Sequence, residues 1–364
     1  MNLGSRTGLV IHNVEEWGGI LSASLDVITV GNATRGWGPI DHLTTLTAKL
    51  FTAKLITVPA RQSVSQFFWA KAGVPRKKGH ATGKNALLIV GVPGQLFALL
   101  EDPLWLGRYE QVAVWVIDSF WNERIPKALR GTRRIDWIWV TDSNDVPDWK
   151  SHFGNRVGVL PWGTDALRIN TEYSVASKHI DLLRVGRQPL EYDDDVLTLS
   201  DASQLGINFA GRPAFGSDES ESQRNLYRAL ATTKSVLAFS NLVDGSTYTH
   251  HSKEYVTGRW LDALASGAAI GGAFPSTETS RSLVPQAGRF VVDPHDRSRG
   301  LSEVRSWLQS WNEDTASALR KHAVDHLDWR YRLASIDAHL EIGSRQLKDE
   351  IQQLEQISSR LGGL

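Results

Sequence analysis

The alternation of short apolar runs with amphipathic segments between residues 86 and 160 constrains the fold more than any other feature. The runs are apolar almost throughout, and segments with helical spacing lie between them. Strands that lack an apolar-polar alternation are typical of a parallel sheet covered on both faces. We therefore predict a Rossmann-like half with strands at residues 86–92, 111–117, 135–140 and 157–160, and helices at 95–100 and 123–129.

One polar residue follows a predicted strand at the edge where parallel sheets bind ligands. Asp118 comes directly after the apolar run 111–117, and ligands bind beyond the carboxyl ends of such strands. A carboxylate in that position could accept the proton of a hydroxyl substrate. It could equally cap a helix, because Asp118-Ser119 precedes Phe120-Trp121.

The same alternation resumes after a polar stretch at residues 170–178. Strands are predicted at 180–185 and 236–239, and helices at 223–234 and 259–266. The 364 residues suffice for two α/β domains with a core each. We therefore predict an α/β fold with a first domain at residues 1–172 and a second at 173–364.

Composition narrows the class of protein. Lys+Arg and Asp+Glu number 40 each, so no net field favours a nucleic acid partner. There are no cysteines, which removes disulfides and thiolate metal sites. The apolar runs are too short to cross a bilayer, and the first residues lack a signal pattern. The expectation is a cytoplasmic protein without a transmembrane segment.

The stretch from His251 to Ile270 concentrates candidate binding residues. Apolar spacing predicts a helix over residues 259–266, ended by Gly267, with Asp262 pointing away from the apolar stripe. With Thr257 or Gly258 as the N-cap, the free backbone N–H groups and the positive end of the helix dipole would favour an anion there. Glu254 and Asp262 are separated by seven residues, so one ligand could touch both carboxylates and the groups between them, at Tyr255, Val256, Thr257, Gly258 and Arg259.

This spacing resembles the E-x7-E signature of retaining GT-B-fold glycosyltransferases of the family 4 type. Arg259-x-x-Asp262-Ala263-x-Ala265-x-Gly267 is likewise similar to the related group 1 pattern, with Asp262 in place of a glutamate. The resemblance implies two Rossmann-like domains that face each other across a cleft, with a C-terminal helix returning to the first. It also implies that Glu254 meets the hydroxyls of the donor sugar and that Asp262 meets the ribose.

A second motif concerns the diphosphate. Val185-Gly186-Arg187 resembles the V-G-R that opens the nucleotide domain of the same family, where the arginine and a lysine five residues later hold the diphosphate. Here Arg187 matches and Tyr192 occupies the lysine position. Arg259 or Arg212 could supply the missing charge, and Arg259 is better placed at the predicted helix start. The family's strand-end histidine has no counterpart at the matching positions 91 and 92.

Two further segments resemble family motifs with a packing role. Pro161-Trp162-Gly163-Thr164-Asp165 is similar to the P-x-G-x-D segment that closes the first domain, and residues 326–332 to a His-Trp-Arg segment near the family's C-terminus. Beyond them, five apolar residues recur every three or four positions and form what we call the C-terminal seam. It either returns to the first domain or pairs with another chain as a homodimer: Leu347, Ile351, Leu354, Ile357 and Leu361.

Weaker candidates surround these motifs. Gly18 and Gly19 could let an acceptor approach the donor sugar. His251 could lie near the sugar, although His250 and His251 are expected to point in opposite directions on an extended chain. The basic loop 73–84 is a solvated loop or a site for an anionic acceptor. The run Asp193-Asp194-Asp195 is a loop or, less favoured, a D-x-D metal site.

The resemblance implies a glycosyltransferase that moves a sugar from a nucleoside-diphosphate sugar to a hydroxyl acceptor, which could be a saccharide, a lipid-linked molecule or a small molecule. Transfer would retain the anomeric configuration and need neither metal nor cofactor. Arg187 and Arg259 would offset charge on the departing diphosphate. Two alternatives stay open: a nucleotide-sugar epimerase or hydrolase on the same fold, and a degenerate carbohydrate-binding scaffold that has lost its donor pocket.

Overall fold

The computed structural model describes residues 10–11, 24–31, 38–59, 83–100, 105–130, 135–173, 177–243 and 249–363. The chain divides into two compact units. The first comprises Met1–Leu160 and Leu333–Leu347, and the second Pro161–Arg332 and Lys348–Leu364. Gly18, Gly19 and most of the basic loop 73–84 lie outside the described residues.

The first unit contains a seven-stranded sheet in the order β1-β3-β2-β4-β5-β6-β7. All neighbouring strands are parallel except β1 and β3. Its apolar strands are buried, as continuous apolar runs predict. The elements are β1 (Val10–Ile11), β2 (Leu25–Gly31), α1 (Gly38–Leu50), β3 (Lys54–Pro59), β4 (Asn85–Val90), β5 (Val112–Val116), β6 (Trp137–Val140), α2 (Val146–Phe153) and β7 (Val157–Val159).

The two helices predicted between these strands form as 3-10 segments instead. Residues Pro93–Leu100 make one, and Asn122–Arg124 and Lys127–Leu129 make two more, separated at Pro126. Proline lacks the N–H that an α-helix interior needs and clashes with the preceding turn. The local apolar spacing was recognised correctly, but Pro126 prevents a continuous helix.

The second unit contains a parallel five-stranded sheet in the order β12-β11-β10-β8-β9. Together the two sheets confirm the predicted α/β fold class with two Rossmann-like units. The elements are α3 (Ala166–Glu172), β8 (Ile180–Arg184), α4 (Asp195–Gln204), β9 (Phe209–Ala210), α5 (Glu219–Ala231), β10 (Thr233–Leu237), α6 (Gly258–Ala265), β11 (Ala269–Gly272), α7 (Glu278–Leu283), β12 (Arg289–Val291), α8 (Arg297–Leu308), α9 (Glu313–His326), α10 (Trp329–Leu340) and α11 (Arg345–Gly362).

The break between the units lies between Leu160 and Pro161, earlier than the predicted boundary after residue 172. The segment after the break docks on the end of α9. Thr164 N donates to Leu327 O at 2.9 Å, and Trp329 N donates to Thr164 O at 2.9 Å. A Cβ at Gly163 would lie 2.7 Å from Leu327 O, so this approach requires glycine. The two motifs with a packing role, at residues 161–165 and 326–332, therefore pack against each other.

The predicted return of the C-terminal region to the first unit is made by residues 333–347. The amide of Asn85 donates to Leu340 O at 3.1 Å, and the His339 ring packs against Trp137 and Trp139. The C-terminal seam was expected to make this return, and that expectation is wrong beyond Leu347. Residues 348–364 belong to the second unit, where Leu354 is fully buried. Pairing with another chain stays a prediction.

Within the part of the chain that the structure describes, no helix has both the length and the apolar character that crossing a bilayer requires.

Candidate functional site

The order of strands in the second sheet marks one point where a ligand would bind. β8 and β10 are neighbours, yet the chain runs from β8 outward to β9 on one side and from β10 to β11 and β12 on the other. Open α/β sheets bind ligands at such a switch point, beyond the carboxyl ends of the strands. The residues that follow these two strands are Gly186 and Arg187 after β8, and Ser240 after β10.

Glu254 lies at this edge because two serines hold it. Ser240 Oγ donates to Glu254 Oε1 at 2.8 Å, while the N–H and Oγ of Ser276 donate to Oε2 at 3.0 and 2.9 Å. Burial alone would raise the pKa of Glu254, but the hydrogen bonds from Ser276 and Ser240 outweigh it and hold the pKa below its usual value. A fixed, ionised carboxylate at a switch point is suited to accept hydrogen bonds from sugar hydroxyls.

The loop before Glu254 is fixed to the end of β10. Asn241 Nδ2 donates to the carbonyls of His250 and Lys253, each at 2.9 Å. His250 Nδ1 accepts from the N–H groups of Ser252 at 3.2 Å and Lys253 at 3.0 Å, which closes a bend. The rings of His250 and His251 consequently stack at 4.8 Å. The expectation that they point in opposite directions is wrong, because the chain here is bent and not extended.

Two arginine side chains approach Gly186. This residue has φ +72°, and a Cβ there would lie 3.3 Å from Nη1 of Arg259. Arg212 Nη2 lies 3.4 Å from Gly186 O, to which it donates a long hydrogen bond. Arg187 follows directly in the chain. Guanidinium groups in this number suit a ligand with two or more phosphate oxygens.

The position that holds a lysine in the resembling family contributes nothing to this cluster. Tyr192 is completely buried in the second core, and its hydroxyl donates to Asp293 O at 2.6 Å. A packed tyrosine cannot bind phosphate. Arg259 and Arg212 flank Gly186 instead, so two other segments supply the positive charge that a lysine at the position of Tyr192 would have given. The sequence had ranked Arg212 behind Arg259, because only Arg259 lies at a predicted helix start.

The start of α6 is open to the same edge. Thr257 precedes the helix, and its side chain makes no capping hydrogen bond. A Cβ at Gly258 would lie 2.6 Å from the indole nitrogen of Trp162, so glycine allows the helix start to rest on that ring. Tyr255 and Val256 connect Glu254 to this start and are half-buried. The backbone of the gap therefore lies between the held carboxylate and the arginine cluster.

Asp262 is buried, with 8% of its surface exposed. Thr164 Oγ1 donates to its Oδ1 at 2.6 Å, and Gln223 Nε2 lies 3.4 Å from its Oδ2. Burial raises the pKa of Asp262 to about 6, against the lowering effect of these hydrogen bonds. Asp262 was predicted only to point away from the apolar stripe, and the structure buries it because α9, α3 and α5 all pack on α6. Contact with a ribose stays a prediction.

The acidic run that could have been a metal site has structural partners. Asp194 caps α4 by accepting from the N–H groups of Val196 and Leu197. Asp193 and Asp195 both pair with the buried Arg184. Among the described residues, no three histidine or acidic side chains converge in a way that would hold a metal ion.

In the first unit, Asp118 follows β5 as predicted. Its carboxylate makes no hydrogen bond within the described part of the chain, and the next 3-10 turn begins after Trp121 without a side-chain cap. The capping alternative is therefore wrong. Burial raises the pKa of Asp118 to about 8, and the charge of Arg124 opposes that rise. When ionised, such a carboxylate is a stronger base than an ordinary aspartate.

Asp118→Asn is expected to stabilise the protein at alkaline pH. The raised pKa keeps a proton on Asp118 in the folded chain up to about pH 8, whereas the unfolded chain releases it near the usual aspartate pKa of 3.8. Wild-type stability consequently falls as pH rises through that window, and asparagine removes this dependence. Urea unfolding should show the variant more stable by about 2 kcal/mol at pH 9 and no more stable near pH 4.5. If the free energy of unfolding changed equally with pH in both proteins, the carboxyl of Asp118 would not be buried with a raised pKa.

Sequence reasoning missed the two serines that hold Glu254. Ser240 follows β10 at the edge that the parallel-sheet rule identifies, so the position was within reach of the rule already used for Asp118. Ser276 had no such signal, because its contact with Glu254 depends on how the loop after β11 folds back.

Comparison with known proteins gives likenesses of structure only. No family model matches the chain, and no curated protein matches its sequence. One similar solved structure is TarM, with a TM-score of 0.44, 12% identity and coverage of 77% of this chain and 58% of that one. Another is the lipopolysaccharide outer core galactosyltransferase WaaB in its apo form, with a TM-score of 0.48, 12% identity and coverage of 87% and 99%.

A third is the glycosylation-associated protein complex Gap123 from Streptococcus agalactiae, with a TM-score of 0.34, 10% identity and coverage of 79% of this chain and 56% of that one. The chain thus spans little more than half the length of TarM and of the Gap123 chain. Because every TM-score lies below 0.5, these likenesses assign no residue roles to this chain.

Proposed function

We propose that the protein is a glycosyltransferase that binds a nucleoside-diphosphate sugar at the carboxyl edge of its second sheet. The observation that carries this proposal is that arginines and an ionised glutamate lie side by side at this edge. Arg259 and Arg212 contact Gly186 beside Arg187 at the end of β8, and two serines hold the ionised Glu254 at the end of the adjacent β10. Cations suit the diphosphate and the carboxylate suits the sugar hydroxyls.

The charges have a role in bond cleavage as well as in binding. When the bond between the sugar and the diphosphate breaks, negative charge grows on the departing phosphate oxygen. Arg187 and Arg259 are proposed to stabilise that charge, and the open start of α6 to add its dipole. The residues Tyr255, Val256, Thr257 and Gly258, between the two acids, would line the donor, with His251 near the sugar and Asp262 near the ribose.

The acceptor is proposed to be a hydroxyl compound, either a saccharide, a lipid-linked molecule or a small molecule. Asp118 is the proposed base for its proton, supported by a pKa of about 8. Retention of configuration and independence of metals and cofactors remain proposals from the family resemblance.

Calorimetric titration with UDP, GDP, ADP and CDP tests the donor site. One of these nucleotides should bind the wild-type protein. Arg187→Ala or Arg259→Ala should then weaken binding about 10-fold or more, because each charged hydrogen bond contributes about 1.5–3 kcal/mol. Arg305→Ala is the matched control, since Arg305 is an exposed arginine on α8 and should leave the affinity unchanged.

Absence of binding by all four nucleotides would contradict the donor site and favour a degenerate scaffold. Weakening by Arg305→Ala to the same degree would show a general charge effect. Consumption of the matching nucleotide sugar without any acceptor would favour the epimerase or hydrolase alternative.

A further inference from the structure

An aromatic side chain stands exposed at the edge of the donor site. Phe215 lies in the loop between β9 and α5, and 74% of its surface is accessible. A large apolar ring gains nothing for the fold in that position, since it leaves apolar surface in water. Single exposed apolar residues are common, so the position of Phe215 matters more than its exposure.

The loop that carries Phe215 is held at both ends, so the ring is presented from a fixed backbone. Its hydrogen bonds reach α4 on one side and α5 on the other, and preorganisation of this kind lowers the entropic cost of binding. The bonds are Arg212 N to Asp195 Oδ2 at 3.1 Å, Asn225 Nδ2 to Ala214 O at 3.2 Å, Gly216 N to Ser222 Oγ at 2.9 Å, and Ser217 N to Glu221 Oε2 at 2.6 Å.

Arg212 connects this ring to the phosphate cluster. Its guanidinium carbon lies 5.9 Å from the centre of the Phe215 ring, and its Nη2 lies 3.4 Å from Gly186 O. One arginine therefore borders both the exposed ring and the turn where Arg259 lies. A nucleoside diphosphate has parts that match both features, an anionic diphosphate for the arginines and a flat base for the aromatic ring.

We propose that Phe215 is the platform on which the base of the donor nucleotide stacks, with Arg212 between the base and the diphosphate. This inference rests on the proposed function and adds the group that recognises the base. Stacking on an aromatic face tolerates every base, so Phe215 supplies affinity and leaves the choice of base to other contacts.

The test compares a nucleotide with a ligand that lacks the base. The full-length protein is titrated with UDP, GDP and ADP and, separately, with inorganic pyrophosphate. Phe215→Ala should weaken binding of the preferred nucleoside diphosphate about 5- to 100-fold, as expected for one lost base stack, and change pyrophosphate affinity less than about twofold. Phe215→Trp should restore nucleotide binding because its ring also stacks.

Leu190→Ala is the matched control, because Leu190 is likewise a large apolar residue that is exposed, at 84%. It should leave both affinities unchanged. If Phe215→Ala weakens pyrophosphate and nucleotide equally, or weakens neither, the base platform is wrong while the donor site stands. If the wild-type protein binds none of the three nucleotides, the donor site and the platform both fail.

Discussion

Glu254→Gln is expected to lower turnover of the nucleotide sugar at least 100-fold while the fold stays intact. Glutamine has the same shape but no charge, and its amide cannot accept from Ser240 and from both donors of Ser276 as the carboxylate does. The sugar would lose an ionised acceptor that is already oriented. Turnover is measured with the sugar derivative of the nucleotide that binds in the titration, at saturating donor, and thermal unfolding reports the fold.

Glu278→Gln provides the control for this change. Glu278 is an exposed glutamate in the first turn of α7, which Thr277 caps. Its substitution should change turnover less than about twofold, within the range of ordinary surface changes. Unimpaired turnover in Glu254→Gln would remove Glu254 from the site, whereas equal losses in both variants would make the loss nonspecific.

Arg330→Met is expected to have the largest effect on stability. Arg330 is 4% exposed and binds Asp165 at 2.8 Å, Asp328 at 3.0 Å and Glu350 at 2.7 Å. Methionine removes the positive charge that faces the buried carboxylates of Asp165 and Asp328, and breaking a buried pair in this way costs about 3–5 kcal/mol. Urea unfolding at neutral pH measures the loss.

Arg297→Met is the comparison for this substitution. Arg297 pairs with Asp201 at 2.7 Å at a partly exposed position, so its loss should cost about 1 kcal/mol or less. A cost of similar size for both variants would mean that the Arg330 network contributes no more than a surface ion pair.

The α/β class and the strand positions could be predicted because strands that are buried on both faces of a sheet form continuous apolar runs in the sequence. The predicted strand 111–117 is apolar after Gln111, and its residues Val112–Val116 form β5 with all five buried. The helix expected at 123–129 could not be excluded by spacing alone, since Pro126 acts on backbone hydrogen bonds and not on apolarity. The domain boundary was predicted after residue 172 because the docking of Thr164 on Leu327 leaves no local signal, since these residues are far apart in the chain.

The site residues divide in the same way, into those that neighbouring residues identify and those whose contacts depend on distant segments. Asp118 was identified because it follows an apolar strand, and Gly186 and Arg187 because Val185-Gly186-Arg187 resembles a family motif, and both are signals carried by neighbouring residues. Arg212 was underrated, since its contact with Gly186 depends on β8 and β9 being neighbours in the sheet.

By itself, the sequence determined the alternation of elements, the placement of polar residues at strand ends and the spacing of Glu254 from Asp262. These are properties of neighbouring residues. Only the tertiary structure decided that Glu254 is held by Ser240 and Ser276, that Asp262 is covered by three helices, and that Arg259 lies against Gly186. Burial and hydrogen bonding depend on which segments pack together, and those segments are separated by many residues in this chain.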